Sequence, residues 1–213
     1  MKSKKMRLKD SSLYLVLDTG VCDYPKLWEV FQAGVNNGVD IVQLRDKLGN
    51  VPQALEFTRR ARCYLKKAVP FIVNDRADLA YAGGACGVHV GQDDLPVAAA
   101  RKMLPRSFLV GKSCQTLAHL QEAEREGADY AGFGSVFKTK TKPERLPMDL
   151  GFLREVAGAA RLPVFAIGGI TIDNIDLVLA QGIKRVAVCR AILLARDPAQ
   201  IVREFKKALM VER

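Results

Sequence analysis

The 213 residues are 49% hydrophobic and carry a formal net charge of +10, which suits one well-filled domain rather than two. No apolar run approaches the roughly 20 residues that a membrane-spanning helix requires. The basic start, Met1 to Asp10, leads into no signal-type apolar segment, so a cytoplasmic protein without a membrane partner is expected.

In chain order, residues 1–10 read as a basic N-terminal tail carrying Lys2, Lys4, Lys5, Arg7 and Lys9, and residues 11–213 as one domain. Strands are expected at 13–17, 40–44, 71–74, 87–90, 108–111, 130–132, 164–167 and 185–189. Most are near-continuous apolar runs, as parallel strands covered by helices tend to be. Between them fall helical patterns at 25–37, 52–67, 96–104, 116–126, 150–160, 174–181 and 198–209, with a short, weak one at 77–83. Several open on proline or a capping residue. Eight strand–helix units in about 200 residues suit a closed barrel better than a doubly wound sheet. The expectation is an α/β, single-domain (β/α)8 TIM barrel. Gly38-Val39-Asp40 and Gly127-Ala128-Asp129 mark helix ends turning into strands.

Five cysteines, Cys22, Cys63, Cys86, Cys114 and Cys189, show neither zinc spacing nor a disulfide framework and read as reduced, mostly core thiols. The excess positive charge is dispersed: Arg203, Lys206 and Lys207 decorate a terminal helix. Only Lys138, Lys140 and Lys142 crowd one loop, which suits a phosphorylated small molecule better than a duplex. No nucleic-acid partner is expected.

In such barrels the active site lies at the C-terminal ends of the strands. Polar residues collect there: Gln43 to Lys47, Asn74-Asp75-Arg76, His89 to Asp94, Lys112-Ser113, Thr139 to Lys142, Gly168-Gly169 and Arg190-Ala191. Arg45, Lys47 and Lys142 offer cationic donors, and Asn74 and Ser113 neutral ones. Asp75 and Asp94 would repel a phosphate unless a hard cation intervened, and Mg²⁺ takes one or two carboxylates plus substrate phosphates. Gly168-Gly169 leaves backbone N–H groups near the last strands for a second anion. Asp46, Asp78 and Asp93 read as surface or capping carboxylates, His89 as a packed histidine, and His119 as helical and solvated.

The runs Gln43-Leu44-Arg45-Asp46-Lys47, Val73-Asn74-Asp75-Arg76 and Gly87 to Pro96 resemble the signatures of the thiamine-phosphate synthase family. So do Gly111-x-Ser113, Gly132 to Lys142 and Ala166 to Ile170, in the same order over residues 13–209. The resemblance implies a transferase condensing hydroxymethylpyrimidine diphosphate with hydroxyethylthiazole phosphate. It implies Mg²⁺ on Asp75 and Asp94, with Arg45, Lys47, Asn74 and Lys142 on the diphosphate and Gln43 and Ser113 positioning the pyrimidine. Thr139, Thr141, Gly169 and the backbone at Ala191-Ile192 would hold the thiazole phosphate, with Arg190 beside them. Lys142, Ser113 and Arg45 form the implied catalytic set, and a homodimer is allowed.

Three positions depart from the family's pattern: Arg190 stands where serine is usual, Ser135 and Lys138 stand where prolines are usual, and Lys112 replaces an apolar residue. Two rivals share the barrel. A thiazole tautomerase lacks the full metal–diphosphate set and uses a histidine after the fifth strand, where Cys114-Gln115 stands here. A non-catalytic regulatory or nucleic-acid-binding barrel would act through its basic tail. A phosphosugar isomerase would want a Glu at a strand end, and none occupies one.

Overall fold

A computed structural model describes residues 8, 10–65, 69–141 and 145–210. Eight parallel strands close into one barrel in sequence order: β1 (Leu13–Asp18), β2 (Ile41–Arg45), β3 (Phe71–Asn74), β4 (Gly87–Val90), β5 (Leu109–Cys114), β6 (Tyr130–Phe133), β7 (Val164–Ile167) and β8 (Val186–Val188). Around them run α1 (Tyr24–Asn36), α2 (Val51–Leu65), α3 (Ala77–Ala82), α4 (Val97–Met103), α5 (Leu117–Glu126), α6 (Leu150–Ala159), α7 (Ile175–Leu179), α8 (Arg190–Leu193) and α9 (Pro198–Met210). The (β/α)8 expectation holds.

The strands are apolar on both faces because each face is covered. On β1, Leu13, Leu15 and Leu17 meet the helices while Tyr14 and Val16 point into the barrel. Local chemistry sets the helix ends. Asp23 accepts from the Lys26 amide (3.0 Å) ahead of Pro25, and Thr116 from the His119 amide (3.1 Å). Gly127 closes α5 at φ +85°, a conformation that side chains other than glycine resist.

β1, β2 and β5 run further at their C-terminal ends than the apolar runs imply. Asp18 still pairs with Arg45, and Ser113 with Gly132, so barrel pairing continues past the first polar side chain. The four-residue α8 is too short to leave a periodic pattern, and sequence reading passed over it. The Gly-x-Asp repeats do structural work at the opposite end. Asp40 accepts from the Ser12 and Leu13 amides (both 2.9 Å) and from Lys206 (2.8 Å). Asp129 accepts from the Val110 amide (2.9 Å) and from Arg101. Each carboxylate thus ties down the entry of a neighbouring strand.

Leu8, inside the segment read as tail, is 2% exposed and packs into the barrel's interior cluster. Residues 1–7 and 9, with most of the tail's cations, lie outside the described residues. Among the described residues, no helix is long and apolar enough to cross a membrane. All five cysteines are free; Cys86 and Cys114 are buried as expected, whereas Cys63 is exposed.

Two glycines separate packing from propensity. A Cβ on Gly111 would lie 2.2 Å from the Tyr130 ring and 2.5 Å from His89 Nδ1, whereas one on Gly158 in α6 meets nothing within 4 Å. Gly111→Ala should therefore cost about 3 kcal/mol of overpacking. Gly158→Ala should be neutral or stabilise by up to about 1 kcal/mol. Denaturant unfolding of the two variants checks the contrast, and equal effects would contradict it.

Candidate active site

The inside of the barrel is crossed by a chain of polar side chains that the surrounding apolar runs conceal. Gln43 Nε2 donates to Tyr14 Oη (2.9 Å), which lies 3.0 Å from Tyr130 Oη. Tyr130 Oη is 3.3 Å from His89 Nδ1, and His89 Nε2 is 3.0 Å from Ser113 Oγ. One residue from each of β2, β1, β6, β4 and β5 is thereby held in register. Burial pushes both tyrosine hydroxyls well above the usual phenol range, so they serve as neutral donors and acceptors. His89 is packed, as expected, yet it also borders a cavity of about 290 Å³ that opens at the C-terminal ends of the strands. Gly111 and Gly132 leave room for its ring.

On one side of the mouth, Arg45 borders the cavity and donates to Asp18 (2.7 Å), a carboxylate only 1% exposed. Asp18 also accepts from the Gly20 amide (2.9 Å), so β1 fixes the guanidinium of β2. Asn74 ends β3 and borders the cavity. Beside the cavity, outside its lining, Lys47 forms an ion pair with Asp75 and lies 4.0 Å from Asp94. Burial, and next the neighbouring Asp94 carboxylate, push the Asp75 carboxyl above its usual range despite the opposing Lys47. Asp75 is held at φ +60° and donates its amide to the His89 carbonyl (2.8 Å). The turn that follows β4 is pinned twice: Lys112, 5% exposed, donates to the Gly91 carbonyl (2.9 Å), and Gly91 donates to Asp94 (2.8 Å). The lysine that departs from the family pattern thus anchors the turn presenting Asp94.

Asp46 is more than a surface carboxylate. It accepts from Thr19 Oγ1 (2.9 Å), Tyr24 Oη (2.9 Å) and the Leu48 and Gly49 amides (2.9 and 3.2 Å), organising the loop that carries Lys47. Burial works against its charge, but these donors outweigh it and hold its pKa below the usual carboxylate value. Asp78 pairs with Arg76 (2.6 Å), which lowers its pKa to about 2, and Asp93 is exposed, both as expected. His119 sits on α5, but its Nδ1 is buried rather than solvated.

On the other side, Gly168 (φ +108°) and Gly169 (φ +66°) form a turn pressed against the loop after β6. A Cβ on Gly169 would lie 2.5 Å from the Lys138 carbonyl, so glycine is required for both conformation and space. Phe137 donates to the Gly168 carbonyl (2.9 Å), carrying that loop on alongside β7. Thr139 and Thr141 border the cavity, with Thr139 Oγ1 accepting from the Thr141 amide (3.2 Å). Cys189, in contact with Thr141, has its thiol pushed up to about 12 by burial and stays protonated.

Arg190 and Ala191, at the start of α8, border the cavity, and Arg190 also faces an outer groove with Arg196 and Gln200. Ile192 differs from expectation. Its side chain is fully buried and its amide already donates to the Cys189 carbonyl (3.1 Å), so Ala191 is the member of that pair at the cavity.

The cavity therefore gathers Gln43, Arg45, Asn74, Ser113, Thr139, Thr141, Gly169, Arg190 and Ala191, while Lys47, Asp75 and Asp94 cluster beside it. Lys142 lies outside the described residues, but Lys138 and Lys140 of its loop both border the cavity, although the family resemblance assigned a ligand role to Lys142 alone of the three. Sequence reasoning also missed Asp18 and Arg145. Asp18 was legible as a charged residue closing an apolar strand. Arg145, which borders the cavity and whose guanidinium faces the Gln115 amide, an arrangement that bonds when the Gln115 oxygen is turned toward it, leaves no such signal.

Fold and site together define a (β/α)8 barrel whose strand-end cavity is rimmed by cations on one side and a glycine turn on the other. The chain belongs to the thiamine monophosphate synthase family, whose model matches residues 13–192. It is 43% identical over 214 residues to a thiamine-phosphate synthase of Prochlorococcus marinus, covering 98% of this chain but 60% of that one. It is 40% identical to a thiamine-phosphate synthase of Natronomonas pharaonis, covering 94% of this chain and 96% of that one. A solved thiamine phosphate pyrophosphorylase of Pyrococcus furiosus superposes with a TM-score of 0.86 at 32% identity, covering 96% and 97% of the two chains. A 3-hexulose-6-phosphate synthase, at 20% identity and a TM-score of 0.70 over 92% of this chain and 99% of that one, shares the fold alone.

The depressed pKa of Asp46 carries a pH signature. Its stabilising contribution is present above the unfolded carboxyl value, near 3.9, and is lost as pH falls through the lower folded value. Asp46→Asn should lower stability at pH 7 by about 2 kcal/mol. The gap from the wild type should close below about pH 4. Thermal unfolding across pH 2–7 measures it, and a gap that persists in acid would assign the loss to shape rather than charge.

Proposed function

We propose that the chain joins hydroxymethylpyrimidine diphosphate to hydroxyethylthiazole phosphate, forming thiamine phosphate and releasing diphosphate. The observation that carries the reading is one cavity flanked by two unlike anion-binding edges. Arg45 and Asn74 stand on one, next to the Lys47–Asp75–Asp94 cluster, and the Gly168-Gly169 turn with Thr139 and Thr141 on the other. Family membership supports the same reaction.

The donor set beside the cavity fits Mg²⁺. Two adjacent carboxylates at the end of β3 and in the turn after β4, with no group of three potential ligands among the described residues, suit an ion that completes its shell with water and substrate phosphate. Asp75 and Asp94 would hold it, and when bound it would neutralise charge on the departing diphosphate. The protein's own part is positioning and charge. Arg45, kept in place by Asp18, and Lys47, Asn74 and Lys142 would take diphosphate oxygens. Gln43 spends an N–H on Tyr14, which leaves its carbonyl to orient the pyrimidine beside Ser113. The C–O bond breaks with its electron pair going to the diphosphate, and the thiazole nitrogen forms the new C–N bond. That nitrogen carries no proton, so no base is required. Stabilising the leaving charge and holding the partners together supply the rate.

The direct test mixes both phosphorylated precursors with Mg²⁺ and follows thiamine phosphate and diphosphate; isomerisation of a thiazole phosphate without condensation would favour the tautomerase reading. Asp75→Ala and Asp94→Ala should each lower turnover by about 10² or more. Full activity of either variant in EDTA would remove the metal from the mechanism. A tail-driven nucleic-acid role is separated by deleting residues 1–7, which spares Leu8 and should leave turnover intact.

The Arg190 side chain makes no hydrogen bond or ion pair with the described residues, and Arg190 borders the cavity near the glycine turn, which supports a contact with the thiazole phosphate. Arg190→Ser should weaken thiazole-phosphate binding by roughly tenfold, the scale of one charge-assisted contact. Diphosphate binding should not change. Equal thiazole-phosphate dissociation constants would leave Arg190 a bystander.

A further inference from the structure

Lys47 holds the position that a bridging cation would need. Its ammonium pairs with Asp75 Oδ2 and stands 4.0 Å from Asp94 Oδ1. Among the described residues it is the ion-pair partner of Asp75, and it lies on an exposed loop whose backbone is fixed by Asp46 rather than by Lys47 itself. The side chain is half exposed, at 50%, so its four-carbon stem can swing without disturbing the barrel. Asp75 has no comparable freedom. Its backbone is set at φ +60° and bonded to the His89 carbonyl, and Asp94 is tied to the Gly91 amide. The carboxylates are fixed and the ammonium is movable.

We propose that Lys47 and a divalent cation exclude each other at Asp75 and Asp94, and that diphosphate makes room for the cation by drawing Lys47 off the carboxylates. This rests on the metal assignment made above and adds an order to it. Two cationic groups compete for one carboxylate oxygen at contact distance, since like charges repel at that range even near the protein surface. A metal arriving alone must first break the Lys47–Asp75 pair and leave the ammonium without a partner. A metal arriving with diphosphate meets a different balance, because the phosphate oxygens accept the displaced ammonium as the carboxylates accept the metal. Lys47 thereby exchanges one anionic partner for another. The protein should bind metal weakly by itself and tightly as a metal–diphosphate pair, which ties the leaving group and its counter-ion to one binding event. By linkage the coupling is mutual: metal should raise diphosphate affinity by the same factor.

The test needs no turnover. Mn²⁺ serves as the probe, with its free concentration read by electron paramagnetic resonance and inorganic diphosphate present or absent. Lys47→Met should bind Mn²⁺ alone roughly fivefold or more tightly than the wild type, the scale of one partly exposed ion pair that no longer has to be broken. The enhancement of Mn²⁺ affinity by diphosphate should shrink by a similar factor. Lys47→Arg, which keeps the charge, should resemble the wild type, and Asp75→Asn should lose Mn²⁺ binding in either background. Equal Mn²⁺ affinity in Lys47→Met and the wild type overturns the exclusion while leaving the metal site standing. Absence of Mn²⁺ binding to every form, with diphosphate present, overturns the metal site and the exclusion with it.

Discussion

His89 and Tyr130 meet across the inside of the barrel where β5 and β6 offer only hydrogen atoms, at Gly111 and Gly132. That sharing of space sets the level at which the filled interior stops and the cavity begins. Tyr14 and Tyr130 each pack edge to face on Phe165 and are tilted against one another, with ring centroids 5.4 to 5.8 Å apart. Above that level, side chains of similar strand position become the walls of an open site. The hydrogen-bonded chain from Gln43 to Ser113 makes this floor rigid as well as full, because satisfied buried polar networks specify a single arrangement. Gln43 and Ser113 lie at its two ends, so their orientation is inherited from the packing beneath them.

The mouth is organised by a second kind of economy, in which cations at or beside the cavity are steadied by carboxylates outside its lining. Asp18 steadies Arg45 from β1, and Asp46 steadies the loop of Lys47. Lys112 holds the turn that offers Asp94. The opposite edge presents backbone at Gly168 and Gly169, with Arg190 of α8 and Lys138 and Lys140 of the neighbouring loop bordering the cavity beside it. Under the proposed reaction, this asymmetry would suit one ligand that departs with growing negative charge and another whose phosphate stays unchanged.

The sequence made the eight strands, their covering helices and the polar strand ends legible because burial on both faces writes long apolar runs, and function interrupts them at one end only. What it hid has a common cause. Tyr14, His89 and Tyr130 lie within runs that read as core, and whether an inward residue belongs to floor or wall depends on barrel stagger, which no single strand encodes. Asp46 looked peripheral because its four donors come from Thr19, Tyr24 and its own loop, brought together only after β1 and β2 pair. Lys112 looked like an oddity beside Ser113 until its partner, a carbonyl on the preceding turn, was visible. Arg190 was placed near the glycine turn by its position after β8, and the structure adds the short helix that fixes it there.

Leu8 enters the barrel from the end opposite the cavity, and at that same end Lys206 of α9 reaches Ser12 Oγ (3.1 Å) and Asp40. Leu8 and the C-terminal part of α9 therefore lie at one pole of the barrel, with the cavity mouth at the other. The contact of α9 with the start of β1 makes the molecule a natural candidate for circular permutation: a bridge would join the last helix to the first strand, and new ends could be opened in any helix-to-strand turn at that pole, leaving the loops around the cavity uncut.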